Sequence, residues 1–166
     1  LSFVPGILAV RDRVGLPSVL VRGLPFPFNS GNLRVLVNGA TGGIGSALVQ
    51  LLKRHGVHVT AVCSGRYADR IAALGADRVI DYASVDFTQE DTRYDFVFDA
   101  VGKSTFGRCR RILGSRGVYI SSELGPWGQN LLFALVTPLG QGRKVVFPVP
   151  VNVNATLSLM STLLET

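Results

Sequence analysis

The stretch Val35-Leu-Val-Asn-Gly-Ala-Thr-Gly-Gly-Ile-Gly-Ser46 carries the clearest chemical signal in the chain. A β-rich run feeds a glycine-rich turn that opens a segment of helical periodicity, the context in which a helix N-terminus holds a phosphate. Ala40, Gly42 and Gly45 stand at G-x-G-x-x-G spacing with alanine in first place. In that pattern the first residue permits the tight turn, Gly42 lets the backbone approach a pyrophosphate and Gly45 lets the helix pack closely on the strand. The backbone N–H groups of Gly43 and Ile44 then point at phosphate, with Thr41 beside them. Gly39, Gly42, Gly43 and Gly45 together cost chain entropy that tight packing alone rarely justifies, so the turn reads as a dinucleotide site.

The end of the next β-rich run is Ala61-Val-Cys-Ser-Gly-Arg-Tyr67. NAD-binding domains place an Asp or Glu here, on the ribose hydroxyls. This chain has none. Ser64 can donate a hydrogen bond and Arg66 can pair with a 2′-phosphate, with Arg70 adding charge one helical turn on. These residues favour NADPH over NADH; the competing reading is a solvated basic turn.

Other candidates carry less. His55 and His58 flank a Gly-Val turn on the side of the sheet opposite the glycine-rich turn and read as surface or packing residues. Trp127 follows a proline and reads as a lid or interface residue. Arg108, Arg110, Arg111 and Arg116 read as the wet face of a helix and its end. Cys63 and Cys109 are too few for a disulfide framework or a thiolate-rich metal site, so they are expected as free thiols in a reducing compartment, the cytoplasm, with no metal.

Elements that place these residues follow from pattern. Strands are expected at Arg34–Asn38, Val57–Cys63, Arg78–Asp81, Tyr94–Asp99, Gly117–Ser121 and Lys144–Phe147, and their continuous apolar runs suit a sheet covered on both faces. Between them Ile44, Leu48, Leu51 and Leu52 recur at helical spacing, as do Tyr67, Ile71 and Leu74, then Phe106, Cys109, Ile112 and Leu113. Gly56, Gly75 and Gly114 are placed as helix stops. Alternation of strand and helix gives an α/β domain, a Rossmann fold with a doubly wound six-stranded parallel sheet of order 3-2-1-4-5-6, over residues 34–166. Residues 1–33, rich in Pro and Gly, read as a linking segment with a helix over Ile7–Val14. Further helices are expected over Asn130–Val136 and after Asn154.

Composition agrees with this class: 166 residues, 47% hydrophobic, 17% charged. A net charge of +6 suits an anionic partner, either a phosphorylated cofactor or a polynucleotide. No aromatic-interleaved basic motif supports nucleic acid. No apolar run reaches the roughly 20 residues of a membrane span, so neither nucleic acid nor membrane is expected as a partner.

The glycine pattern also fits short-chain dehydrogenases, but their catalytic Tyr-x-x-x-Lys is missing: four residues beyond Tyr67, Tyr82, Tyr94 and Tyr119 stand Ile71, Asp86, Phe98 and Glu123. The better resemblance is to the medium-chain dehydrogenase/reductase superfamily, in its zinc-independent, quinone oxidoreductase-like members. Asn38-Gly-Ala-Thr-Gly-Gly-Ile-Gly45, Val59-Thr-Ala-Val-Cys-Ser64, Leu74-Gly-Ala-Asp-Arg-Val-Ile-Asp-Tyr82 and Tyr94-Asp-Phe-Val-Phe-Asp-Ala-Val-Gly102 occur in family order and spacing. The resemblance implies that Ser64, Arg66 and Tyr82 hold the 2′-phosphate, that Ala100 and Val101 line the adenosine half, and that the backbone around Phe147 faces the nicotinamide. It also implies hydride transfer to a quinone, enone or similar small carbonyl substrate. Family members carry a barrel-like N-terminal catalytic domain with no counterpart here, so the catalytic residues are not assigned, and this chain alone is expected to self-associate and to be inactive. A non-catalytic NADPH-binding interaction module remains the alternative.

Overall fold

Alternation along Arg34–Asn38 sends Val35 and Val37 to one side of a sheet and Leu36 to the other, and all three are buried. That is how a strand covered on both faces must look. The computed structural model describes residues 32–121 and 142–146, together with two short strands, Val10–Arg11 and Pro17–Ser18. Six parallel strands make the sheet: β1 Arg34–Asn38, β2 His58–Cys63, β3 Arg78–Asp81, β4 Tyr94–Asp99, β5 Leu113–Ser121 and β6 Lys144–Val146. Their order is β3-β2-β1-β4-β5-β6, the expected Rossmann order. Val35 pairs with Val59 on one side and Phe96 on the other.

Among the described residues three α-helices join the strands: α1 Gly43–Arg54, α2 Ala68–Ala73 and α3 Phe106–Cys109. One apolar cluster joins Val35, Val37, Val59 and Ala61 to Val49 of α1 and Ile71 of α2. The other joins Leu36, Val62 and Val97 to Cys109 of α3, Ile112 and Tyr119. Each fully buried Val, Leu or Ile contributes roughly 1.5–3 kcal/mol, so the two clusters clamp the sheet between helical layers.

Four local readings change. The face α1 buries is Gly45, Leu48, Val49 and Leu52, whereas Ile44 is 64% and Leu51 40% exposed. Close approach of Gly45 to the turn sets the helix phase and rotates Ile44 outward to the strand ends. The apolar pair Ile112-Leu113 does not extend α3: Leu113 already begins β5, and a register irregularity accommodates Gly114 to Gly117. Gly114 is therefore not a left-handed stop, while Gly56 (φ +70°) and Gly75 (φ +104°) are. In the N-terminal segment, Val10–Arg11 pairs antiparallel with Pro17–Ser18 where a helix over Ile7–Val14 was expected. β-Branched Val10 suits a strand better than a helix, and Pro17 is tolerated on an edge strand. Phe147, Trp127 and the helices expected over 130–136 and after Asn154 lie outside the described residues.

Candidate functional site

The glycine turn leaves β1 through Gly39, whose φ of +83° is one that side chains rarely adopt. Its N–H and that of Ala40 both donate to the Val62 carbonyl at 3.1 Å, which pins the turn to the end of β2. Gly39, not Ala40, makes the tight turn, and Ala40 is fully buried behind it. Two of the four glycines answer to the chain's own packing. A Cβ on Gly39 would lie 2.8 Å from the Val101 Cβ, and one on Gly45 would collide with the Gly39 carbonyl and lie 2.9 Å from the Ala40 Cα. The other two do not: Gly42 has extended backbone and its Cβ would meet only the Gly39 carbonyl oxygen at 3.4 Å, and a Cβ on Gly43 would meet nothing within 4 Å. What keeps Gly42 and Gly43 bare is open space in front of an uncapped helix. α1 has no side-chain cap and no acidic residue in its first turn, so its N–H groups face outward with the positive end of the helix dipole. This is a cradle that a phosphate fits and a side chain would fill.

Beside the turn, an open cleft of about 470 Å³ runs between α1 and α2, lined by Thr41, Ser46, Gln50, Arg66, Tyr67, Arg70, Ile71 and Leu74. Arg66 is exposed, its guanidinium carbon 4.6 Å from the centre of the Tyr67 ring. Stacking of this kind holds a cation flat at little cost in solvation. Among the described residues neither Arg66 nor Arg70 forms an ion pair, whereas Lys53, Arg78, Arg108 and Arg111 each do. Ser64 is half-buried at the end of β2, where its carbonyl accepts the Tyr67 N–H at 2.9 Å. Tyr82, at the end of β3, is 61% exposed.

Across the turn, at the switch point between β1 and β4, sits a buried carboxylate. Asp99, 1% exposed, accepts from Asn38 Nδ2 at 3.1 Å, the Val101 N–H at 3.3 Å, the Ser104 N–H at 2.9 Å and the Tyr119 hydroxyl at 3.1 Å. A buried carboxylate needs such donors, and here they shape the loop that lays Val101 against Gly39. Ala100 is tied to the same place by its N–H, which donates to the Asn38 carbonyl at 3.0 Å. Burial, then the nearby Asp99, push the Tyr119 hydroxyl upward, so it stays a donor. Ile44, Tyr82 and Val101 are three of the exposed large apolar side chains, and all three lie at the carboxyl ends of the strands.

The sequence pattern of zinc-binding dehydrogenases matches residues 43–147. The chain belongs to this family, within the medium-chain dehydrogenase/reductase superfamily. Over 108 residues it is 44% identical to the mouse protein "NAD(P)H oxidoreductase RTN4IP1, mitochondrial", a match covering 63% of this chain and 24% of that relative. The chain thus spans about a quarter of that relative's length. The quinone oxidoreductase of Coxiella burnetii superposes with a TM-score of 0.66 at 25% identity, covering 82% of this chain and 42% of that one. The Escherichia coli quinone oxidoreductase, solved in complex with NADPH, superposes with a TM-score of 0.64 at 22% identity, covering 82% of this chain and 46% of that one.

Despite the family's description, zinc does not fit the described residues of this chain: no three His, Cys, Asp or Glu side chains among them come together to hold a metal. Both cysteines are buried and free. Burial pushes the Cys109 thiol up to about 11 and also raises Cys63, whereas a metal ligand must be a thiolate. His55 and His58 are exposed at the other end of β2. Nor is any described helix long and apolar enough to cross a membrane.

The structure therefore brings Thr41, Gly42, Gly43 and Ile44 to one edge with Ser64, Arg66, Tyr82, Ala100 and Val101, and joins Thr41 and Arg66 in one cleft. Sequence reasoning missed Ser46 and Gln50, which line that cleft from one face of α1 at i, i+4 spacing. It also missed Asp99, whose signal was a carboxylate ending an otherwise apolar strand.

Proposed function

We propose that this dehydrogenase-family chain holds NADPH across the carboxyl ends of its strands and presents it to a quinone, an enone or a similar carbonyl substrate. The observation that carries this reading is Arg66: an exposed guanidinium, stacked on Tyr67 and in no ion pair among the described residues, at the strand end where an NAD site places a carboxylate. Arg66 and Tyr82 hold the 2′-phosphate, with the Ser64 hydroxyl as a further donor. The N–H groups of Gly43 and Ile44 meet the pyrophosphate, with Gly42 leaving it room and Thr41 beside it. Ala100 and Val101 offer apolar surface to the adenosine half; the family resemblance assigns Phe147, outside the described residues, to the nicotinamide end.

When bound, the reduced cofactor supplies the hydride. The chain's own residues fix where it lies, and holding donor against acceptor is the larger part of such catalysis. The described residues build one wall of a substrate cleft. Closure against a second domain is what excludes water, so turnover by this chain alone is expected to be slow. The names of the mouse relative, an NAD(P)H oxidoreductase, and of the NADPH-complexed E. coli enzyme support the cofactor class. The free thiols support a reducing compartment such as the cytoplasm.

Calorimetric titration with NADPH and NADH tests the reading. A charge-assisted hydrogen bond to the extra phosphate is worth about 1.5–3 kcal/mol, so NADPH should bind at least about tenfold more tightly. Equal affinity for the two cofactors contradicts it.

A further inference from the structure

Asp81 has no place in the reading above, yet its carboxylate meets both loops that carry the proposed phosphate contacts. It ends β3 in register with Cys63, the last residue of β2. On its own side, Oδ1 accepts the Ala83 N–H at 3.0 Å and Oδ2 accepts the Ser84 hydroxyl at 3.2 Å. On the other side lies the turn that leaves β2. A Cβ built on Gly65 would stand 2.6 Å from Asp81 Oδ2 and 3.1 Å from its Cγ, so the carboxylate lies close against the Gly65 turn. A backbone bond runs in parallel, with the Tyr82 N–H donating to the Cys63 carbonyl at 3.1 Å.

Arg66 follows Gly65 directly and Tyr82 precedes Ala83, so the two side chains sit on loops from different strands that meet at this carboxylate and at the Tyr82–Cys63 backbone bond. The glycine at position 65 is explained by the same contact, since any side chain would displace the acid. The Ala83 N–H is the largest of the influences that hold the Asp81 carboxyl below its usual range, so it is an anion at neutral pH. An anion close to a phosphate site is costly unless it is committed elsewhere, and its described contacts are all with loop donors.

We propose that Asp81 is a positioning residue for cofactor selectivity: it clasps the Gly65 and Ala83 turns together so that Arg66 and Tyr82 close on a 2′-phosphate from two sides. The proposal rests on the NADPH reading. It assigns Asp81 no contact with the cofactor. What it adds is that the discrimination between NADPH and NADH depends on a residue that touches neither.

The test is calorimetric titration of the full chain and its variants with NADPH and with NADH. Asp81→Ala should weaken NADPH about three- to tenfold, the scale of one or two lost hydrogen bonds, and leave NADH within about twofold. Asp81→Asn, which keeps an acceptor for Ala83, should recover most of the preference. Gly65→Ala pushes a methyl into the clasp while leaving the acid in place, so it decides the matter even if Asp81→Ala does not fold. It should lower the NADPH preference in the wild-type background and have little effect on top of Asp81→Ala, the non-additivity expected of two residues in contact. Equal weakening of both cofactors, an unchanged ratio, additive effects of the two substitutions, or tighter NADPH binding from relief of repulsion would each overturn the clasp. A wild-type chain with no preference for NADPH would overturn the cofactor reading and the clasp with it, whereas a selective wild type with an indifferent Asp81→Ala removes the clasp alone.

Discussion

Two groups of arginines, alike in sequence, differ in what the fold gives them. On the α3 side, Arg108 pairs with Asp86 at 3.2 Å, and Arg111 bonds Asp91 at 3.1 Å and Gln89 at 3.2 Å. On the α1–α2 side, Arg66 lies on Tyr67 over an open cleft and Arg70 lines the same cleft, with no ion pair to either among the described residues. Exposed ion pairs contribute only about 0.2–1 kcal/mol, so the difference says little about stability. It says which charges are already answered. The glycines of the turn divide the same way: Gly39 and Gly45 are required by neighbouring atoms of the chain, whereas Gly42 and Gly43 face space. The proposed ligand site combines these two bare glycines with an arginine that is in no ion pair among the described residues.

The comparison breaks first at Gly42. Its backbone is extended (φ −74°) and tolerates a side chain, so Gly42→Val should keep the fold by circular dichroism while cofactor binding falls about a hundredfold or more, as the branched side chain fills the space needed by pyrophosphate. Undiminished binding would move the cofactor away from this turn. Arg70→Ala is the next step down. Lacking Arg66's stacked geometry, Arg70 should contribute about what an exposed charge pair does, and NADPH affinity in a titration should drop about two- to fivefold with NADH unchanged.

The smallest effect belongs to the answered side. Arg108→Ala should leave both cofactor affinities alone and shift stability by at most about 1 kcal/mol. Its trace is in acid. The Asp86 carboxyl is held below its usual range, chiefly by the Thr88 hydroxyl and also by Arg108. A depressed folded-state value adds stability that is present above the unfolded value, about pH 4, and is lost as pH falls through the folded one. Arg108→Ala should therefore bring the acid unfolding midpoint slightly upward, read by fluorescence or circular dichroism. A loss as large in strong acid as at neutral pH would show that the pair does something else.

The sheet and the turn were legible because they rest on short-range rules: β-rich runs between glycines, and a glycine spacing set by a tight strand-to-helix turn. What escaped the sequence depended on contacts between distant residues. The buried face of α1 was misplaced by one position because close packing of Gly45 on the turn, rather than the apolar count, sets the helix phase. Ile112 and Leu113 continue a helical stripe as plausibly as they begin a strand, an ambiguity inherent in short apolar runs. Asp81 and Asp99 both end strands, where a carboxylate is unremarkable in sequence. Only the fold shows that one touches two loops and that the other is buried among four donors.

The central claim is that Arg66, in no ion pair among the described residues, is there to meet the 2′-phosphate of NADPH. Titrating NADPH and NADH into the wild type, Arg66→Ala and Arg108→Ala measures this directly. Loss of one charge-assisted bond of about 1.5–3 kcal/mol should weaken NADPH about ten- to hundredfold in Arg66→Ala, with NADH nearly unchanged and Arg108→Ala indistinguishable from wild type. Equal loss of both cofactors in Arg66→Ala, or as large a loss in Arg108→Ala, would contradict the account.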